Sequence, residues 1–323
     1  MEAAPAIAAP QRLGLHLGLL AVTIVTTTSA GVAIAARPGM GRAELLVGGL
    51  GFSLTLLGIL LTHEMGHYVF ARLHRVDTSL PYVIPAPGYV PGLGLLMFGT
   101  FGAVIRMRSP IKTRDALVDV GAAGPIAGAI VALPLLVWGT SLSHFGPSPT
   151  AAASFWHGNQ SLVALVTHAW AEAHGVKSAA AGVMSFGDSL AIRLVDRWVL
   201  GPTPAGQDVI VHPIALAAWF GLLVTCLNLF PIGQLDGGHV TYALFGRFHK
   251  KLGRAVGYGL LLMGCFSSIS WFVWWLVSTR LVGYDHPEVV DAGTRLSTLR
   301  LVVCAASLLL FVLTFVPVPM DSL

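Results

Sequence analysis

Residues 45–62 carry no charged side chain, and the run ends in His63-Glu64-Met65-Gly66-His67. A helix needs about 20 such residues to cross a hydrocarbon layer. Charged and imidazole groups at its end are costly there unless a function or a partner stabilises them. In that layer every backbone N–H and C=O must be bonded within the protein, so the spanning elements are helices or closed barrels. Comparable apolar runs lie at about 13–36, 44–71, 115–138, 211–231, 255–280 and 298–316. With 55% hydrophobic and 11% charged residues in 323, against roughly 25% charged in soluble domains, the fold class expected is an all-α polytopic membrane protein. It has about six transmembrane helices and a small re-entrant or β-hairpin element between the second and third.

The net charge of +4 comes mostly from short loops beside the spans, so it reads as topological and not as a nucleic-acid surface. The loop after the second span holds Arg72, Arg75, Arg106, Arg108, Lys112 and Arg114, and that after the fourth holds Arg247, Lys250, Lys251 and Arg254. With Arg12 these put eleven of the 19 basic residues on one side, which places the N-terminus and the His-Glu end of the second span toward the cytoplasm, most simply at a cell inner membrane. The first run is read as a span and not a signal peptide, because it exceeds a typical h-region. Cys226, Cys265 and Cys304 are isolated in or beside spans and give neither a disulfide framework nor a C-x-x-C pair.

Residues 78–110 are rich in Pro and Gly and cannot form a continuous helix. Met97 through Met107 suits a short strand or hairpin, either a re-entrant element beside the site or an ordinary surface loop. The connection 139–210 contains His144, His157, His168 and His174 without helical pairing, so no second metal site is expected there. Within it, Gly187 to Gly201 is amphipathic, with Leu190, Leu194 and Val195 opposite Arg193, Asp196 and Arg197. That suits a helix at the membrane interface or part of a seventh short segment. Three regions follow: an N-terminal helix and loop (1–43), a core of three spans (44–246) and two C-terminal spans (247–323).

On a helix His63 and His67 share one face, the arrangement that lets two imidazoles bind one zinc ion with Glu64 as general base. A catalytic zinc site needs a third protein donor and an open position. The best candidate is Asp236, in Asn228-Leu229-Phe230-Pro231-Ile232-Gly233-Gln234-Leu235-Asp236-Gly237-Gly238-His239, where Pro and Gly break an apolar run at a carboxylate. A helix cap or an ion pair is the plainer reading of that aspartate, and His239 is the alternative donor. Two spans lie between the motifs in the chain, so the second and fourth run parallel and bring them to a similar depth.

His63-Glu64-Met65-Gly66-His67, Gly124-Pro125-Ile126-Ala127-Gly128 and Asn228 through Gly238 together resemble the site-2 protease family of intramembrane zinc metalloproteases, in the branch without a PDZ insertion that includes the plastid EGY-type proteins. The resemblance extends from about residue 44 to Pro317. It implies that His63, His67 and Asp236 bind Zn2+, that Glu64 activates water, and that Asn228 binds or orients the substrate backbone. Many members have a second proline where this chain has Gly233. Gly124 to Gly128 also reads as a helix-packing stretch of small residues. The implied function is hydrolysis of peptide bonds within or near transmembrane segments of membrane-anchored proteins, in regulated intramembrane proteolysis. A proteolytically silent binding homologue and a zinc-binding transporter are the competing classes.

Overall fold

The computed structural model describes residues 11–37, 39–90, 95–96, 98–147, 161–174, 184–289 and 295–322. Helices α1 (Leu13–Ala35), α2 (Arg42–Leu73) and α3 (Arg114–Ser141) are each long and apolar enough to cross a membrane, and the chain is an integral membrane protein. Between α2 and α3, β1 (Tyr82–Pro85) pairs antiparallel with β4 (Thr100–Val104), with β2 (Tyr89–Val90) and β3 (Leu95–Leu96) between them. The strand content expected of 97–107 is therefore present, as a ribbon docked on α1. His16 Nδ1 donates to the Pro81 carbonyl at 2.9 Å and its ring stacks on Tyr82, while Thr26 Oγ1 donates to the Gly99 carbonyl at 2.6 Å. At Gly99 φ is +81°, and a Cβ would lie 2.5 Å from the backbone of Thr26, so this contact requires glycine.

After α3 come β5 (His144–Pro147), α4 (Leu162–Ala173), β6 (Met184–Phe186), α5 (Leu190–Val199) and β7 (Gln207–Ile210); β5 pairs with β7 and so closes the long connection at its base. α5 spans ten residues, too few to cross a bilayer by itself. Helix α6 (Pro213–Asn228) begins at a proline, whose missing N–H costs nothing at that position. α7 (Asp236–Phe245), a short 3-10 turn and α8 (His249–Phe266) follow.

The apolar run expected as one span at 255–280 is instead divided. α8 stops at Phe266, and α9 (Ser270–Leu276) continues into a π-helical turn, Val277–Val282. Ser267 Oγ and Trp271 Nε1 both donate to the Pro317 carbonyl at 2.6 Å, so tertiary hydrogen bonds hold the break. α10 (Thr298–Thr314) leads to β8 (Met320–Ser322), which pairs with β6. Among the described residues three helices, not six, meet the length and hydropathy of a span; α6 and α10 are apolar but shorter.

The central core joins α1, α2, α3 and α6 around Phe52, Leu56, Ile59, Leu136, Leu216 and Leu222. In lipid the association of helices depends on close backbone approach and not on removing apolar surface from water. Small residues supply it here. A Cβ on Gly221 would sit 2.7 Å from Ile59, and one on Gly139 would sit 2.3 Å from the Ala215 backbone.

Candidate metal centre

His63 and His67 lie in the C-terminal half of α2, one turn apart and buried. Their rings face α3 across Gly124 and Gly128. A Cβ on Gly124 would fall 2.0 Å from His67 Nε2, and one on Gly128 would fall 3.2 Å from His63 Nδ1. The small-residue stretch therefore seats the imidazoles as well as packing the helices. His67 Nδ1 contacts the Val120 carbonyl at 2.7 Å. A carbonyl only accepts, so Nδ1 carries the proton, and Nε2 of the neutral ring presents its lone pair toward the centre.

Asp236 arrives from the other side. α6 ends at Asn228, the chain turns through Pro231, and Asp236 opens α7, where the helix dipole favours a negative charge. Gly237 and Gly238 let the turn fold against the start of α7: a Cβ on either would meet the Leu229 or Gly233 carbonyl at 1.9 or 2.3 Å. Gly233, where the resemblance leads one to expect proline, has φ +51° and touches Gly283. Proline fixes φ near −65°, so this loop geometry excludes it.

Asp236 Oδ2 lies 3.2 Å from His63 Nε2 and 3.3 Å from His67 Nε2. A tetrahedral ion bound at about 2.0–2.1 Å separates its ligands by about 3.3–3.4 Å. The donor set therefore has the spacing, the burial and the N,N,O chemistry of a zinc site. A carboxylate oxygen facing two ring nitrogens also needs a cation or protons between them. These three side chains form the only such group among the described residues.

Glu64 is buried beside the cluster, and its carboxylate faces the backbone N–H of Ile105, just beyond β4. Asn228 Nδ2 is 3.5 Å from His63 Nε2. All five residues singled out from the sequence are thus brought together. His239, the alternative donor, stands apart from the three: its Nδ1 is 2.7 Å from His286 Nε2, and His286 Nδ1 donates to the Pro287 carbonyl. That second bond leaves His286 Nε2 as the acceptor, so Nδ1 of His239 is the donor. His286, Ile105 and the Val120 carbonyl are the groups that sequence reasoning missed. Two act through the backbone, which leaves no residue-type signal, and the third lies far along the chain.

A family model described as Peptidase family M50 matches residues 51–270. Probable zinc metalloprotease EGY1, chloroplastic, of Arabidopsis thaliana is 31% identical over 267 residues, which cover 81% of this chain and 42% of that protein. The EGY1 protein of Oryza sativa subsp. japonica is 29% identical over 269 residues, 81% of this chain and 39% of its own length. Probable zinc metalloprotease EGY2, chloroplastic, of Arabidopsis thaliana is 28% identical over 238 residues, 72% and 35%. The chain thus spans about two-fifths of the length of these relatives, whose names place them in the chloroplast and not in a cell inner membrane. No solved structure matches the chain. With the family match covering more than half of its residues, the chain belongs to Peptidase family M50, the site-2 protease family.

Proposed function

We propose that this chain is an intramembrane zinc metalloprotease that cleaves membrane-anchored proteins within or near their transmembrane segments. The observation that carries the reading is the convergence of His63, His67 and Asp236 on one point, with Glu64 buried beside them. His63 Nε2, His67 Nε2 and an Asp236 carboxylate oxygen would hold the ion. Zinc in that position supplies a Lewis acid for the scissile carbonyl and favours a water nucleophile at neutral pH.

The chain's own groups do the rest. Glu64 takes a proton from the attacking water and delivers it to the leaving amine nitrogen, so that one C–O bond forms as the C–N bond breaks. Asn228 Nδ2, close to His63 Nε2, donates to a substrate backbone carbonyl. A substrate helix must unwind before its peptide bonds are accessible. Among the described residues β4 pairs with β1 along one edge, and its other edge would receive an extended segment, beside the exposed Phe101 and Val104. The ribbon would act as a re-entrant element beside the site, within a 44–246 core flanked by 1–43 and 247–323. The cytoplasmic N-terminus follows from the loop charges.

A transporter would not need a carboxylic acid between the two histidines, and a silent homologue would not need both it and the donor set. The test is cleavage of a membrane-spanning reporter by the full chain in bilayers. Glu64→Gln should lower the rate by about 10²–10⁴-fold while zinc content is kept. Undiminished cleavage by that variant would defeat the proposal, as would metal flux without cleavage by the unaltered chain.

A further inference from the structure

At the opposite end of the helical core lies a cavity of about 700 Å3. Its floor is apolar, with Leu136 of α3 and Leu216 and Trp219 of α6; its rim carries Asp188, Arg193, Asp196 and Arg197 around α5 and Asp208 on β7. Leu216 and Asn228 sit on one helix, about 18 Å apart at 1.5 Å per residue, so this cavity is separate from the metal centre.

α5 organises the rim. At about 100° per residue, Leu190, Leu194 and Trp198 form one stripe, and all three are exposed, Trp198 by 76%. Next round the helix come Arg193 and Arg197, then Asp196, and then the inward face with Ile192 and Ala191, which are buried. An exposed Leu-Leu-Trp stripe on a short helix too brief to span is the signature of a helix lying in the bilayer interface. The order apolar stripe, cationic pair, carboxylate is also the order acyl chain, phosphate, ammonium in a phospholipid.

We propose that this cavity binds the headgroup of a zwitterionic phospholipid of the ethanolamine type, with phosphate at Arg193 and Arg197, ammonium among Asp188, Asp196 and Asp208, and acyl chains along Leu190, Leu194 and Trp198. Three carboxylates and two guanidiniums line the rim; a zwitterionic headgroup, neutral overall, leaves that balance unchanged while setting an opposite charge beside each sign. Within this rim the Asp196 carboxyl is pushed up to about 6, first by burial and then by the negative charge of Asp188, with Asp208 adding to it. Its Oδ1 accepts a 3.3 Å bond from Thr140 Oγ1. Asp188 is also raised by burial, and Arg193, 3.4 Å away, opposes the shift. A primary ammonium offers three N–H donors to such a set, as in the lysine head group, whereas a quaternary ammonium offers none.

The test is lipid retention by the purified full chain, read by native mass spectrometry after exchange into bilayers containing equal phosphatidylethanolamine, phosphatidylcholine and phosphatidylglycerol. Phosphatidylethanolamine should be retained about tenfold over the other two, the equivalent of about 1.4 kcal/mol. The double variant D196N/D208N should lose that preference with its zinc content unchanged, and R193Q/R197Q should retain less of all three lipids. Asp208 is exposed, so D208N alone folds and should lose part of the preference. Equal retention of the three headgroups by the unaltered chain, or a preference intact in D196N/D208N, would overturn the assignment and leave the cavity to a protein segment.

Discussion

The two ends of the helical core are built to opposite specifications. At the metal centre, α3 presents Gly121 to α7 and Gly124 and Gly128 to the α2 imidazoles, so close that a methyl group on Gly124 would overlap the His67 ring. At the α5 end, the same α3 presents Leu136 and Thr140 to an open cavity rimmed by charge. Close approach fixes the rings: His67 is held by a carbonyl on one nitrogen and aimed at Asp236 by the other. The far end keeps a cavity of about 700 Å3 where the metal centre has contact. The comparison teaches that a membrane protein positions a polar site by removing side-chain volume around it, because lipid provides no hydrophobic force to press helices together.

The largest effect that would break this contrast is expected at Gly124. Gly124→Ala puts a methyl group on the His67 ring and should weaken zinc binding by 100-fold or more, about 2.7 kcal/mol. Gly128→Ala, with its 3.2 Å approach to His63, should cost about tenfold, and zinc titration of both variants in detergent would order them. Equal, small effects would mean that α3 does not seat the rings.

Next comes Gly233→Pro, which demands a φ that the loop does not have. It should destabilise the fold by about 3 kcal/mol, read as a lower unfolding midpoint, with less zinc bound at a given concentration. Arg300 then tests the scaffold behind the centre. It bonds Asp119 at 2.7 Å and Asp115 at 3.1 Å, and Asp119 adjoins the Val120 whose carbonyl holds His67. Arg300→Met removes the guanidinium from both acids, leaving Asp119 with His74 at 2.8 Å, and should cost about 1–3 kcal/mol, detectable as earlier thermal unfolding. The smallest change is expected at the exposed pair Arg247 and Glu288: Arg247→Ala should move stability by less than about 1 kcal/mol.

Much of the centre was legible in the sequence because its signals are local. Helical spacing pairs His63 with His67, and a Pro- and Gly-rich break marks Asp236. The parity that sets the second and fourth spans parallel rests on counting spans, and among the described residues three helices have full spanning length. The division at Ser267 and Ser268 was hidden because two serines hardly alter the hydropathy of the run, and the force that breaks it comes from Pro317, 50 residues away. Read by apolar pattern, Val195 shares one face with Leu190 and Leu194. In the fold it packs inward against the central core, while the two leucines face outward. Periodicity reports that a residue is apolar; it does not distinguish protein from lipid as its neighbour.

The central claim is that His63, His67 and Asp236 hold one metal ion while Glu64 and His239 do not. Zinc stoichiometry of the purified full chain tests it directly, alongside Asp236→Ala, Glu64→Gln and His239→Ala. One zinc per chain is expected in the unaltered protein, in Glu64→Gln and in His239→Ala, and little or none in Asp236→Ala. Full occupancy in Asp236→Ala together with loss in His239→Ala would contradict it and transfer the third donor to the histidine.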